Sequence, residues 1–132
     1  MLGQFQEKAQ IVIADFEAGL GNVSRLEPGQ IDVILVVAEP TAKSLEVARR
    51  AVDIIRENRT AKAVLVGNRL TGNEDIDAMK AMFPDVPLTF VPDDMAIREA
   101  DARGVSAFDA SHDAPAVTAL RSFASSLSVG EG

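Results

Sequence analysis

Four short apolar runs punctuate the chain, at residues 10–15 (QIVIAD), 32–38 (DVILVVA), 62–67 (KAVLVG) and 88–91 (LTFV). Each is continuous rather than alternating, and the first is rich in β-branched residues. A strand covered on both faces reads in this way, so the runs predict a parallel sheet sandwiched between helices. Between the second and third runs, Leu45, Ala48, Val52 and Ile55 recur at helical spacing, while Lys43, Glu46, Arg49, Arg50, Asp53 and Arg56 fall elsewhere. This pattern predicts an amphipathic helix of roughly four turns, started by Thr41 or Ser44 and ended near Asn58. Ile76, Met79 and Phe83 predict a shorter helix stopped by Pro84. Asp94 reads as the N-cap of another, running to Gly104, a residue suited to a left-handed helix end. Val117, Leu120, Phe123 and Leu127 give the last helix one apolar face, and residues 129–132 are expected to fray.

The order is strand, loop, strand, helix, strand, helix, strand, helix, helix. It predicts one α/β domain over residues 1–132: three layers, a mostly parallel sheet of about four strands, flanking helices and right-handed crossovers. No internal repeat, linker or low-complexity tract interrupts it.

Residues 16–31 break the pattern, with three Gly, one Pro and few periodic apolar residues where a crossover helix is expected. Ligands of open α/β sheets gather at the carboxyl ends of the strands, which makes this acidic, glycine-rich loop the first place to look for chemistry. Asp15 stands at the tip of the first run and Gly19 follows four residues later. Such an Asp can hold Mg²⁺ through water, and such a glycine lets a backbone N–H approach a phosphate oxygen. The same residues also make an ordinary turn, in which Asp15 caps amides and the glycines supply positive φ. A dinucleotide fingerprint is approximated by Gly19, Gly21 and Ser24, with Glu39 20 residues beyond Gly19. It fails on position: DFEA separates the strand from its first glycine, Pro28 and Gly29 interrupt the following helix, and the third glycine is a serine.

Composition narrows the classes further. The 132 residues carry 20 acidic against 13 basic side chains, a net charge of -7, which argues against a nucleic-acid surface or an anionic membrane as partner. There is no Cys, which excludes disulfides, thiolate nucleophiles and Cys-ligated metal in this chain. The one His, His112, sits in a polar SHDAP stretch and reads as a turn or cap residue. Met79 and Met82 read as core or near-core filler, and Arg49, Arg50, Arg56 and Arg59 as a solvated helix face balancing nearby acids. No apolar run reaches the roughly 18 residues needed to span a bilayer, and residues 1–10 lack the regions of a signal peptide, so a cytoplasmic chain is expected.

Four stretches, in order, resemble the C-terminal half of a P-loop ATPase of the MinD/ParA group: VIADFEAGLGNVSR (12–25), DVILVVAEPTAKSLEVA (32–48), VLVGNR (64–69) and FVPDDMAIREADARG (90–104). Within that group they are most similar to the CooC-type ATPases that assist nickel insertion into carbon monoxide dehydrogenase. The resemblance covers about residues 10–128. It implies a partial P-loop NTPase fold, with Asp15 as the Walker B aspartate that orients Mg²⁺ through water and Gly19 as the switch glycine that senses the γ-phosphate. Asn68 matches the asparagine that reads the adenine edge, Pro92, Asp93 and Asp94 the loop against base and ribose, and the Glu39–Pro40 pair a feature near the nucleotide. Asn68 as a turn residue, Asp94 as a plain N-cap and Glu39 as a solvated strand end stay open as alternatives. ATP or ADP with Mg²⁺ would be the cofactors.

The departures matter as much. No GxxxxGK[ST] exists, and none of the four Lys (Lys8, Lys43, Lys62, Lys80) follows a glycine. The segments that carry the family's phosphate loop and switch aspartate have no counterpart in this sequence. An acidic chain without that cradle is expected neither to bind ATP tightly nor to hydrolyse it alone. The family's P-loop strand lies between the strands matched here by residues 10–15 and 32–38, so those two are expected to pair directly, or the chain to self-associate. The expected partners are a second copy, a complementary P-loop-bearing chain or a metalloenzyme client. The alternative is a non-enzymatic α/β interaction module derived from such an ATPase. A receiver-like domain fits the length only, because no partnering Lys follows the last strand.

Overall fold

The computed structural model describes residues 11–16 and 20–130. Its centre is a parallel three-stranded sheet in the order β1 (Val33–Ala38), β2 (Lys62–Leu70), β3 (Leu88–Pro92). Helix α1 (Leu20–Ser24) precedes the sheet, and α2 (Ala42–Asn58) and α3 (Asn73–Met82) connect its strands. Helices α4 (Met95–Ala102), α5 (Ala107–Ala110) and α6 (Pro115–Gly130) follow. The architecture is the α/β arrangement that the continuous apolar runs predict, a parallel sheet flanked by helices.

Alternation along the strands sorts side chains into two unequal cores. On one face Ala38, Ala63, Leu65 and Leu70 pack with Leu45, Ala48, Val52 and Ile55 of α2 and with Met79 and Phe83 at α3. On the other, Val66 and Val91 lie beneath Ala116, with Ile97 and Phe123 packed alongside. The two methionines behave as expected, Met79 inside the larger core and Met82 against it. The apolar stripe of α6 is unevenly used: Val117 is buried while Leu120 is exposed.

Helix ends follow from identifiable side chains. Thr41 caps α2, its Oγ1 accepting from the Ser44 N–H at 3.2 Å, while the Ser44 hydroxyl accepts from the Glu39 N–H at 2.9 Å. The first bond satisfies an amide that a helix start otherwise leaves unpaired, and the second ties the end of β1 to the helix. At the other end Arg59 adopts a left-handed φ of 51° and the Thr60 N–H returns to the Ile55 carbonyl. Helix α4 ends where Gly104 turns the chain at φ 68°, with the Val105 N–H donating to the Ala100 carbonyl at 3.0 Å.

The arginine face of α2 is not simply solvated. The Arg49 guanidinium donates to Asp53 at 2.7 Å, to Asp85 at 2.8 Å and to the Met82 carbonyl at 3.1 Å, and lies over the Phe83 ring. Arg56 pairs with the same Asp85 carboxylate. The hydrogen bond from Arg49, first among several causes, brings the Asp85 carboxyl down to about 2. The cluster fastens α2 to the loop after α3, a contact across the fold that helical spacing alone does not reveal.

One predicted strand is absent. Residues 11–16 have no regular structure and their apolar side chains are exposed, Ile13 to 89%. Among the described residues no strand borders the outer side of β1, so the expected pairing of residues 10–15 with 32–38 does not form. A strand is held by its ladder to a neighbour, and β-branched composition without that ladder does not hold a segment extended in a sheet. Gln10, within that expected strand, lies outside the described residues. The loop over residues 16–31 is partly ordered by α1, which packs on α2 and sets Val23 against the larger core. Strand β2 runs three residues beyond its predicted end, to Leu70, and α6 continues to Gly130, into the stretch expected to fray. Residues 131–132 lie outside the described residues.

Candidate functional site

Because the strands are parallel, their carboxyl ends share one edge of the sheet. Glu39 follows β1, Asn68 and Arg69 lie near the end of β2, and Pro92, Asp93 and Asp94 lie at the end of β3. Gly67 pairs with Phe90 and Leu70 with Pro92, so β2 takes three steps where β3 takes two. The surplus residue makes a bulge with Arg69 at φ 60°, a left-handed conformation that is costly for a residue bearing a Cβ. Bulges re-aim side chains, and this one turns Arg69 between its neighbours' carboxylates. Its Nη1 meets Glu39 Oε1 at 3.1 Å and its Nε meets Asp93 Oδ1 at 3.6 Å. Arg98, on the first turns of α4, donates from Nη2 to both Asp93 oxygens at 2.7 Å. The result is a chain of alternating charge, Glu39, Arg69, Asp93, Arg98, across all three strand ends. Arg98, and to a smaller degree Arg69, holds the Asp93 carboxyl below the usual range. Partly exposed pairs of this kind add little to stability, so the chain positions the loops more than it stabilises the fold.

Asp94 is occupied on both sides. Its Oδ1 accepts from the Ala96 N–H at 2.9 Å as the N-cap of α4, and its Oδ2 accepts from the Ala116 N–H at 2.9 Å in the first turn of α6. Pro115 opens α6 with no N–H of its own to satisfy. Asn68, by contrast, is half-buried and its side-chain amide makes no hydrogen bond among the described residues. That amide offers a donor and an acceptor side by side. The glycine before it is a packing requirement, because a Cβ at Gly67 would meet the Met79 sulfur.

The fold therefore brings Glu39, Asn68, Pro92, Asp93 and Asp94 to one edge. It does not bring Asp15 there: Asp15 lies on the exposed segment 11–16, and no described contact ties it to the strand ends. Gly19 lies outside the described residues. The two arginines of the edge already face Glu39 and Asp93, and among the described residues no cluster of three or more His, Asp or Glu is placed to hold a metal ion. Sequence reasoning passed over Arg69 and Arg98. Arg98 carried a signal, lying five residues after Asp93 at a capped helix start; the left-handed turn of Arg69 carried none, since its side chain gives no preference for that conformation.

No protein-family model matches the chain. It is 26% identical over 106 residues to the carbon monoxide dehydrogenase accessory protein CooC of Rhodospirillum rubrum, a match covering 80% of this chain and 40% of that protein. It is 28% identical over 102 residues to an uncharacterized ATP-binding protein of Methanocaldococcus jannaschii, covering 74% of this chain and 39% of that one. The chain thus spans about two fifths of the length of the curated relatives it matches. It is a distant homologue of a carbon monoxide dehydrogenase accessory protein and of an ATP-binding protein.

Proposed function

We propose that the chain is the base-reading part of an ATP-binding domain of the MinD/ParA and CooC kind, acting in the cytoplasm in metallocentre assembly or partitioning, and inactive as an ATPase alone. The observation that carries this reading is the shared edge: three of the four segments matched to the ATPase group meet at the carboxyl ends of one parallel sheet, with the Asn68 amide free among the described residues. Asn68 reads the base there, while Glu39, Arg69 and Asp93 shape its rim. Asp15 and Gly19 take Walker B and switch roles only when a phosphate-binding segment completes the site, and Mg²⁺ enters with the nucleotide. That segment belongs to a complementary stretch of polypeptide, and the client is a metalloenzyme.

Calorimetric titration tests the proposal. With Mg·ATP the chain alone gives no saturable binding in the micromolar range, whereas a low-micromolar dissociation constant would overturn the need for a complementary phosphate-binding segment. A second reading, an interaction module that has kept the scaffold and lost catalysis, is favoured by one observation: both oxygens of Asp94 serve as helix caps. Nucleotide-independent capture of a partner that Asn68→Ala leaves unchanged would support the module and count against base reading.

A further inference from the structure

Among the described residues two that are not glycine hold a positive φ, Arg59 at 51° and Arg69 at 60°. The first is accounted for by the helix it ends, where the Arg59 and Thr60 N–H groups return to the Arg56 and Ile55 carbonyls. Arg69 ends no helix. It lies within β2, next to Asn68, where the strand ends gather. A left-handed conformation on a residue with a Cβ persists only where its surroundings over-determine it, and such positions concentrate where a site needs a fixed geometry. Gly67 pairs with Phe90, Leu70 pairs with Pro92 and the Asp93 N–H donates to the Leu70 carbonyl at 2.8 Å, so Asn68 and Arg69 together stand opposite Val91. Gly67 lies too close to the Met79 sulfur to admit a Cβ, and Leu70 is buried. Both ends of the bulge are therefore anchored, while neither residue between them has a register partner in β1 or β3.

The side-chain amide of Asn68 makes no hydrogen bond among the described residues, so its aim is set by the backbone that carries it. That backbone is restrained from both sides through the next side chain. The Arg69 guanidinium places Nη1 3.1 Å from Glu39 Oε1, just after β1, and Nε 3.6 Å from Asp93 Oδ1, just after β3. We infer, on the reading of Asn68 as the base contact proposed above, that Arg69 is its positioning residue: the guanidinium bridge from Glu39 to Asp93 fixes the bulge, and the bulge presents the Asn68 amide. Exposed pairs of this kind contribute little to global stability, so loss of the bridge should loosen Asn68 without unfolding the sheet.

Arg69→Gly deletes the guanidinium and relieves φ 60°, so the full chain should keep its circular dichroism spectrum and melt no lower than wild type. Glu39→Ala breaks the same bridge and leaves residue 69 intact. Nitrogen-15 relaxation of the Asn68 side-chain amide, without ligand, should show lower order in both variants than in wild type. Equal order in all three overturns the inference. A fall in Arg69→Gly alone would reflect the freedom of glycine itself and overturns it as well. Adenosine, a neutral probe, is then titrated at millimolar concentrations while the Asn68 amide signals are followed. Arg69→Gly should weaken it about two- to tenfold, the effect of one side chain left to be immobilised on binding. The double variant Asn68→Ala with Arg69→Gly should bind no more weakly than Asn68→Ala, because Arg69 acts through Asn68. Additive losses would make Arg69 a contact in its own right and overturn the positioning role. Adenosine that leaves the Asn68 signals of wild type unmoved, with their order still dependent on Arg69, would refute base reading and support positioning.

Discussion

Replacing Asp94 probes the join between the sheet and the C-terminal helix. Its two carboxylate oxygens each accept one backbone N–H, from Ala96 and from Ala116, both at 2.9 Å. Removing an N-cap of this type costs about 1 kcal/mol. The second bond carries more, because Ala116 is only 2% exposed and its N–H would be left without a partner or water, at about 1–3 kcal/mol. The carboxylate also faces two helix N-termini, whose dipoles favour its charge. Asp94→Ala should therefore cost about 2–4 kcal/mol, on the order of a 10 °C fall in Tm for a domain of this size. Asp94→Asn keeps an acceptor toward one helix and turns an NH₂ toward the other, so it should lose about half as much. Urea unfolding followed by far-ultraviolet circular dichroism suits a chain without Trp or Tyr. If Asp94→Ala costs under about 0.5 kcal/mol, the range of an ordinary surface change, or if Asn is as damaging as Ala, the two-sided cap is wrong.

Three further perturbations test other parts of the fold. The Asp85 carboxyl, brought to about 2 by Arg49, has a folded value below its unfolded one, so its contribution is complete above the unfolded value and is lost as pH falls through the folded one. Asp85 is 34% exposed, which screens that contribution to roughly 1 kcal/mol; Asp85→Asn should flatten the acid limb of a stability profile between about pH 4 and pH 2. Arg59→Gly should stabilise by about 0.5–1 kcal/mol in thermal unfolding, because φ 51° burdens any residue with a Cβ. Gly67→Ala should destabilise by about 1–3 kcal/mol in urea melts, since its Cβ must displace the buried Met79 sulfur, and combined with Met79→Ala the two costs should sum to less than their separate values.

What the chain order discloses depends on how local the cause is. The boundaries of α2 and α4 were legible because Thr41, Asp94 and Gly104 act within a few residues of themselves. The parallel sheet was legible because continuous apolar runs have few other uses. The failure at residues 11–14 has the opposite origin: hydrophobicity records a need for burial, and a strand also needs a neighbour that this part of the sequence cannot name. The candidate edge divides in the same way. Asn68 and Asp93 were singled out by a family resemblance, whereas the placement of Arg69 depends on a bulge, and a bulge is a mismatch between two strands. The second bond of Asp94 joins residues 22 apart and was invisible for the same reason.

The unequal cores imply an order of opening. Helix α6 rests on the smaller cluster and on one carboxylate, while α2 and α3 share ten buried residues with the sheet. Local unfolding follows the least buried contact first, so the amides of α6 should exchange with solvent through a partial opening that leaves the strands protected. The C-terminal helix is then a separable unit, able to detach and return while the βαβαβ layer keeps its shape.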